Sequence, residues 1–245
     1  MMLSLRRGEE RRHVRPGTHE VWLTFFPSTG PGLSTEDFGL LTGLDEVALT
    51  PGEACAPRQR EDAEIVSYLY QGTLAQQDST GSSGVIHAGE FQRMTIGRGI
   101  HHMETNPSHC DRTHIFRITL RPSAAGLSCA HEQVRFAAGL RHNLLCPVAS
   151  PDGRMGSMRL LQDAVIYSSV LDPGHHLIHE LLPGRSAWLH ILRGVAALQD
   201  LIVTEGDGVG LTQESSISVT AQQETELLLI DLGPARRSFA RGVVP

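Results

Sequence analysis

The sequence predicts an all-β protein built from two tandem antiparallel β-barrels. Glycine (25 residues) and proline (13 residues) separate short stretches rich in Val, Ile, Leu and Thr, a pattern typical of all-β chains. No segment keeps an i, i+3, i+4 apolar pattern over three or more turns, so we expect little helix. A β-rich unit also occurs twice along the chain, which indicates two barrels rather than one.

The strand candidates are short apolar or β-branched stretches bounded by turn residues. The clearest of them are 65–70, 84–87, 114–120, 158–161, 165–171, 187–192 and 226–231.

The internal repeat sets the domain organisation. Leu-Thr-Pro-Gly at 49–52 recurs as Leu-Asp-Pro-Gly at 171–174, an offset of 122 residues, and the same offset maps Gly72 onto Gly194. A repeat of this length indicates duplicated domains, because solenoid repeats are shorter. We therefore predict an N-terminal barrel over 1–121, a linker and inter-domain segment over 122–157, and a C-terminal barrel over 158–245.

The composition excludes several classes of function. The 245 residues carry a formal net charge of −6 and form no basic patch, so we expect no binding to nucleic acid or to an anionic membrane. No apolar run approaches the length of a membrane span or of a signal peptide, which predicts a cytoplasmic location. The cysteines form no Cys-x-x-Cys pair and are expected to be reduced thiols; they are Cys55, Cys110, Cys129 and Cys146.

Two spacings resemble the paired motifs of the cupin fold, a small β-barrel that brings metal ligands from separate strands into its interior. Residues 52–64 read Gly-x5-Arg-x-Arg-x3-Glu, and residues 99–106 read Gly-x2-His-x3-Asn. The first two ligand positions hold Arg58 and Arg60. A guanidinium group stays protonated and has no lone pair to donate, so neither arginine can bind a cation.

A wider set of segments resembles the pirin family of bicupins. These segments are 62–72, 88–92, 97–107, 131–136 and 150–153. The resemblance implies two antiparallel barrels, of which the N-terminal one holds a metal ion, commonly iron. It also implies relatives that include quercetin 2,3-dioxygenases and nuclear transcription cofactors.

By the same resemblance, three histidines and one glutamate would hold the ion. Their positions fall on Arg58, Arg60, His102 and Glu104 in this sequence. Half of the ligand set is retained, and one imidazole with one carboxylate does not make a tight iron site. The alternative is that His102 and Glu104 still ligate a metal.

Without a metal, Glu104 would be a buried carboxylate that needs a counter-charge. We hypothesise that Arg58 or Arg60 pairs with Glu104 in place of the ion. If one arginine stays free, the cavity would be cationic and suited to a small carboxylate or phosphate. Glu64 fills the glutamate position of the first motif and is expected to play a structural, supporting role behind the site.

The C-terminal copy is expected to lack a metal site. The repeat maps Arg58 onto Glu180, Arg60 onto Leu182, and His102 near Val219. Three nearby histidines are assigned to the barrel mouth or to solvent; they are His175, His176 and His179.

These observations predict a pirin-like bicupin without robust dioxygenase activity, whose N-terminal cavity binds a small molecule, anionic or aromatic. We expect no bound cofactor, whereas a functional site would take Fe(II) or another divalent metal. The first alternative is an iron-dependent oxidoreductase of the quercetin 2,3-dioxygenase type. The second is a non-catalytic protein-interaction or regulatory module, which the lack of a basic patch does not favour.

Overall fold

The structure is a computed structural model that describes residues 2–26, 37–60, 62–79, 81, 83–97 and 100–234. For residues 56–60, 100 and 101 it describes the backbone only.

Strands dominate the first half of the chain. They are β1 (Met2–Arg6), β2 (Arg12–Val14), β3 (Glu20–Leu23), β4 (Leu41–Leu49), β5 (Ala54–Arg60), β6 (Ala63–Gln71), β7 (Thr73–Asp78), β8 (Ser83–His87), β9 (Glu90–Ile96), β10 (Ile100–Thr105) and β11 (Thr113–Leu120).

The second half continues in the same way around one short helix. The elements are β12 (Ala130–Arg135), α1 (Ala138–Arg141), β13 (Cys146–Ser150), β14 (Met158–Arg159), β15 (Ala164–Leu171), β16 (His176–Glu180), β17 (Ser186–Arg193), β18 (Val195–Leu198), β19 (Leu201–Thr204), β20 (Gly208–Thr212), β21 (Ser216–Ala221) and β22 (Thr225–Leu232). Single 3-10 turns lie at Gly8–Glu10 and Arg154–Gly156.

Each barrel consists of a seven-stranded and a four-stranded sheet. The N-terminal barrel combines β12-β9-β6-β11-β4-β3-β2 with β5-β10-β7-β8, and the C-terminal barrel combines β1-β20-β17-β22-β15-β13-β14 with β16-β21-β18-β19. The prediction of an all-β protein with two antiparallel barrels is therefore confirmed, and every strand candidate overlaps an observed strand.

Three strands pair across the predicted domain boundaries. β1 pairs with β20 of the C-terminal barrel, β12 extends the N-terminal sheet along β9, and β13 pairs with β15. The segment 122–157 thus contributes strands to both barrels, because each extends a sheet edge that would otherwise be unpaired. The boundaries at 121 and 157 remain a proposal for where the chain passes between the barrels.

The apolar core divides according to the two faces of the strands. In β11, Ile115 packs inside the N-terminal barrel, whereas Phe116 and Ile118 face the other way and join Trp188 and Ile230 of the C-terminal barrel. Successive strand residues point to opposite faces, so one strand serves the barrel interior and the inter-barrel core at once. A third cluster fills the C-terminal barrel.

The repeat seen in the sequence is also a structural repeat. Gly72 and Gly194 both adopt positive φ, 81° and 92°, and a Cβ on either would collide with a backbone carbonyl, that of Arg112 or of Glu224. Glycine is the residue that tolerates both conditions.

A polar cluster ties the two barrels together inside this contact. The Tyr68 hydroxyl of β6 donates to Glu226 Oε1 of β22 at 2.7 Å. Arg141 of α1 donates to the Tyr68 hydroxyl at 3.1 Å and also to Glu226. The arginine lies over the Tyr68 ring, 4.9 Å from its centroid, where a cation-π contact adds to the ion pair.

Candidate functional site

The two motifs meet in the four-stranded sheet of the N-terminal barrel. β10, which carries the second motif, pairs with β5, which carries the first, and this register places His102 opposite Arg58 and Ile100 opposite Arg60. The backbone therefore brings the positions together as the cupin spacing predicts. The side chains of Arg58 and Arg60 lie outside the described residues, so their hypothesised pairing with Glu104 stays a prediction.

His102 and Glu104 converge on one face of β10. The His102 Nε2 lies 3.5 Å from the Glu104 Oε1, and both side chains are 14% exposed. Neither ring nitrogen of His102 makes a hydrogen bond among the residues that the structure describes. The side chains of His102 and Glu104 therefore still point toward the same region of the barrel interior.

Arg117 supplies a counter-charge for Glu104 and was missed in the sequence. Its guanidinium Nη2 donates to the Glu104 Oε2, and its side chain is 4% exposed. Burial alone would lower the pKa of Arg117, but the neighbouring charges, led by Glu104, outweigh burial and raise the pKa. The signal was an arginine between Ile115 and Thr119, in the phase of β11 that faces the barrel interior.

A cavity of about 280 Å³ opens beside His102. Besides His102, the cavity is lined by polar residues of β7, including Gln76 and Asp78, and by residues of β9 and β12, including Met94 and His131. The Oε1 of Gln76 also lacks a hydrogen-bond partner in the described part of the chain. Buried polar atoms usually have hydrogen-bond partners, and these atoms of His102 and Gln76 have none among the described residues.

Glu64 belongs to the junction between the barrels rather than to the cavity. It is fully buried on the face of β6 that carries Val66 into the inter-barrel core. Its carboxylate accepts hydrogen bonds from the backbone N–H groups of Leu161 (2.7 Å) and Gln162 (3.0 Å). Burial outweighs these hydrogen bonds and raises the pKa of Glu64. Within the described residues, these hydrogen bonds join Glu64 to the segment after β14 and not to the cavity, so its supporting role behind the site stays a prediction.

Asn106, the last residue of the second motif, holds the loop after β10. Its side-chain amide is buried and donates to the carbonyls of Leu49, Thr50 and Asp111. The Asn106 side chain therefore shapes the end of the strand, and no described contact directs it toward His102.

The C-terminal barrel carries buried apolar residues near the position that corresponds to His102. Val219 and its neighbour Ile217 are buried in the core of that barrel. Among the histidines nearby, His179 is bound to Asp231 at 2.9 Å and His176 to Ser218 at 2.7 Å. Within the described ranges, no three His, Cys, Asp or Glu side chains are placed to hold a metal ion.

The residues present do not fit a four-ligand iron site. Fe(II) in oxygenases needs neutral imidazoles and carboxylates on one face with open positions for substrate. Here the sequence offers arginine at two of the four positions. Glu104 binds a guanidinium, and of the two described side chains at these positions only His102 has nitrogen atoms without a hydrogen-bond partner.

Comparison with known proteins identifies the class of protein that this architecture defines, a bicupin. The family model described as "Pirin" matches residues 26–119, and the model of the quercetinase C-terminal cupin domain matches residues 147–232. The chain belongs to the pirin family.

Relatives extend this match over nearly the whole chain. A quercetin 2,3-dioxygenase of Escherichia coli K12 is 32% identical over 233 residues, covering 95% of this chain and 100% of the relative. A pirin-like protein of Caulobacter vibrioides is 28% identical over 196 residues, which cover 80% of this chain and 84% of that protein.

Solved structures agree with this assignment. The crystal structure of YhhW from E. coli superposes with a TM-score of 0.89 at 31% identity, covering 96% of this chain and 100% of that one. The complex of the bacterial pirin YhhW with nickel(II) gives a TM-score of 0.88 at 31% identity over 95% and 100% of the two chains. Among the described residues of the present chain, no helix is long and apolar enough to cross a membrane.

Proposed function

We propose that this pirin-family bicupin binds a small organic molecule, anionic or aromatic, in its N-terminal barrel and lacks robust quercetin dioxygenase activity. The proposal rests on the contacts made by His102 and Glu104, the two retained ligand positions. Glu104 is paired with Arg117, while His102 lines the cavity and neither of its ring nitrogens has a hydrogen-bond partner in the described structure.

The cavity has the character of a small-molecule site. Ligand sites combine apolar walls with a few polar groups that fix orientation. Met94 and Ala130 supply apolar surface, and Gln76 and His102 supply an acceptor and an imidazole. A ligand with one donor for the Gln76 Oε1 and one polar atom for His102 would satisfy both groups.

The preference for an anion rests on the sequence. Arg58 and Arg60 place two permanent positive charges on β5, whose backbone pairs directly with the strand of His102. Guanidinium groups bind carboxylates and phosphates through paired hydrogen bonds. A small aromatic carboxylate would use both the charge and the apolar wall.

The alternative function is an iron-dependent dioxygenase of the quercetin type. Two observations favour it: relatives at 32% identity are named quercetin 2,3-dioxygenase, and His102 and Glu104 still converge to 3.5 Å. In that case both side chains would ligate the metal, which would lie beside the Arg117 guanidinium on the same carboxylate.

Two measurements on the purified protein separate these functions. The first is metal content together with oxygen uptake on quercetin, for which we expect neither stoichiometric iron nor turnover. The second is calorimetric titration with benzoate as the probe, for which we expect saturable binding that His102→Ala abolishes. The exposed His109→Ala variant is the matched control and should bind as the parent does. Stoichiometric iron with turnover would overturn the proposal, as would benzoate binding that survives in His102→Ala.

A further inference from the structure

The fold of the barrel does not require an arginine at position 117. Thr113 and Thr225 occupy equivalent places in the two barrels, because their hydroxyls donate to the carbonyls of Thr73 and Val195, residues related by the 122-residue offset. The same alignment of β11 with β22 maps Arg117 onto Leu229, which is buried in the apolar core of the C-terminal barrel. One barrel thus fills this position with a hydrocarbon and the other with a cation.

The cation faces acidic groups in the first barrel. Arg117 lies opposite Asp45 in the β11–β4 register and donates to Glu104 across the interior. Asp45 adds to the negative potential at the guanidinium. A buried charge is costly unless it is paired and hydrogen-bonded, so the pair explains how both residues stay inside the barrel.

We propose that Arg117 is an internal cation that occupies the Glu104 carboxylate and so closes the former metal site to divalent ions. A dication held by the His102 Nε2 and the Glu104 Oε1 would share this carboxylate with the guanidinium, which binds the Oε2. It would then lie a few ångströms from a fixed positive charge in a poorly solvated interior, where repulsion is strong. The absence of histidine at positions 58 and 60 is then only part of what excludes a divalent ion. Arg117 would have this effect whichever ligand the cavity binds.

The test restores histidine at positions 58 and 60, in one variant that keeps Arg117 and in another that replaces it. The Arg58→His/Arg60→His double variant supplies the histidines but keeps the guanidinium on Glu104. Adding Arg117→Gln removes this guanidinium from the Glu104 carboxylate. With Ni²⁺ titrated calorimetrically at neutral pH, we expect the triple variant to bind about 10- to 100-fold tighter than the double variant, the range typical when groups around a ligand are changed.

Two further triple variants distinguish charge from a general loosening of the barrel. Adding Arg117→Lys instead keeps a positive charge, so Ni²⁺ affinity should stay at the level of the double variant. Adding Arg112→Gln removes an exposed arginine near the start of the same strand and should also leave affinity unchanged. Equal affinity of the double variant and its Arg117→Gln derivative would overturn the proposal.

Circular dichroism of the metal-free proteins covers the case in which the Arg117→Gln triple variant does not fold. If Arg117 stands in for a metal, Ni²⁺ should take over its role and refold this variant, while having little effect on the melting temperature of the double variant. A variant that stays unfolded in saturating Ni²⁺ would contradict the proposal.

Discussion

The Arg117 guanidinium and the Glu104 carboxylate form a buried ion pair inside the N-terminal barrel. The carboxylate at the position where the family resemblance predicts a metal ligand is therefore paired with a cationic side chain of the same chain. The pair lies next to the imidazole of His102, which has no hydrogen-bond partner among the described residues. The charges of the pair therefore act on any ligand that binds beside His102.

The first prediction concerns the stability supplied by this pair. Arg117→Gln should lower the free energy of unfolding by about 3–5 kcal/mol, because it removes the cation from a largely buried ion pair with Glu104. The Glu104→Gln/Arg117→Gln double variant should lose much less than the sum of the single changes. Urea unfolding of the four proteins measures the coupling.

The exposed Arg112→Gln variant is the control and should stay within about 0.5 kcal/mol of the parent. Strictly additive losses in the double variant would show that the two side chains do not interact.

The sequence predicts the backbone positions of the site better than the side-chain contacts within it. The repeated glycines can be recognised from the sequence because part of their role, the positive φ of Gly72 and Gly194, is a local property of the backbone. The partner of Glu104 lies 13 residues away on another strand and depends on which face of β11 turns inward. Glu64 shows the same limit: its motif position suggests the site, but its face of β6 turns toward the other barrel.

The second prediction concerns the contact between the barrels. Tyr68→Phe removes the hydroxyl that donates to Glu226 at 2.7 Å, and a hydrogen bond to a charged group contributes about 1.5–3 kcal/mol. Arg141→Gln should cost more, because Glu226 then loses its cation while Tyr68 remains. Urea unfolding measures both losses, and a Tyr68→Phe variant as stable as the parent would mean that this hydroxyl does not hold the barrels together.

The third prediction concerns acid stability. Burial alone would raise the pKa of Glu46, but hydrogen bonds and charge from His114 and Arg11 lower it from 4.5 to about 2. A carboxyl with a depressed pKa stabilises the fold at pH above about 4.5, and this contribution, about 3 kcal/mol, is lost as the pH falls toward 2.

Glu46→Gln should therefore be less stable than the parent at pH 6, and the difference should shrink steadily between pH 4.5 and 2. Urea unfolding at several pH values tests this expectation. A difference that is the same at pH 6 and pH 2.5 would show that ionisation of Glu46 is not responsible.

The last prediction separates the cavity from the stability of its barrel. Gly84 lines the cavity, and a Cβ built on it would lie 3.5 Å from the Gln76 Nε2, an ordinary contact. Gly84→Val should therefore fold normally, with a stability change within about 1 kcal/mol, since valine suits a strand. Its methyl groups would occupy the space beside Gln76, so benzoate binding should weaken by about tenfold or more, equal to about 1.4 kcal/mol. Val85→Thr, at a half-exposed position on the opposite face of β8, is the control and should bind as the parent does. Unchanged benzoate affinity in a folded Gly84→Val protein would place the ligand elsewhere.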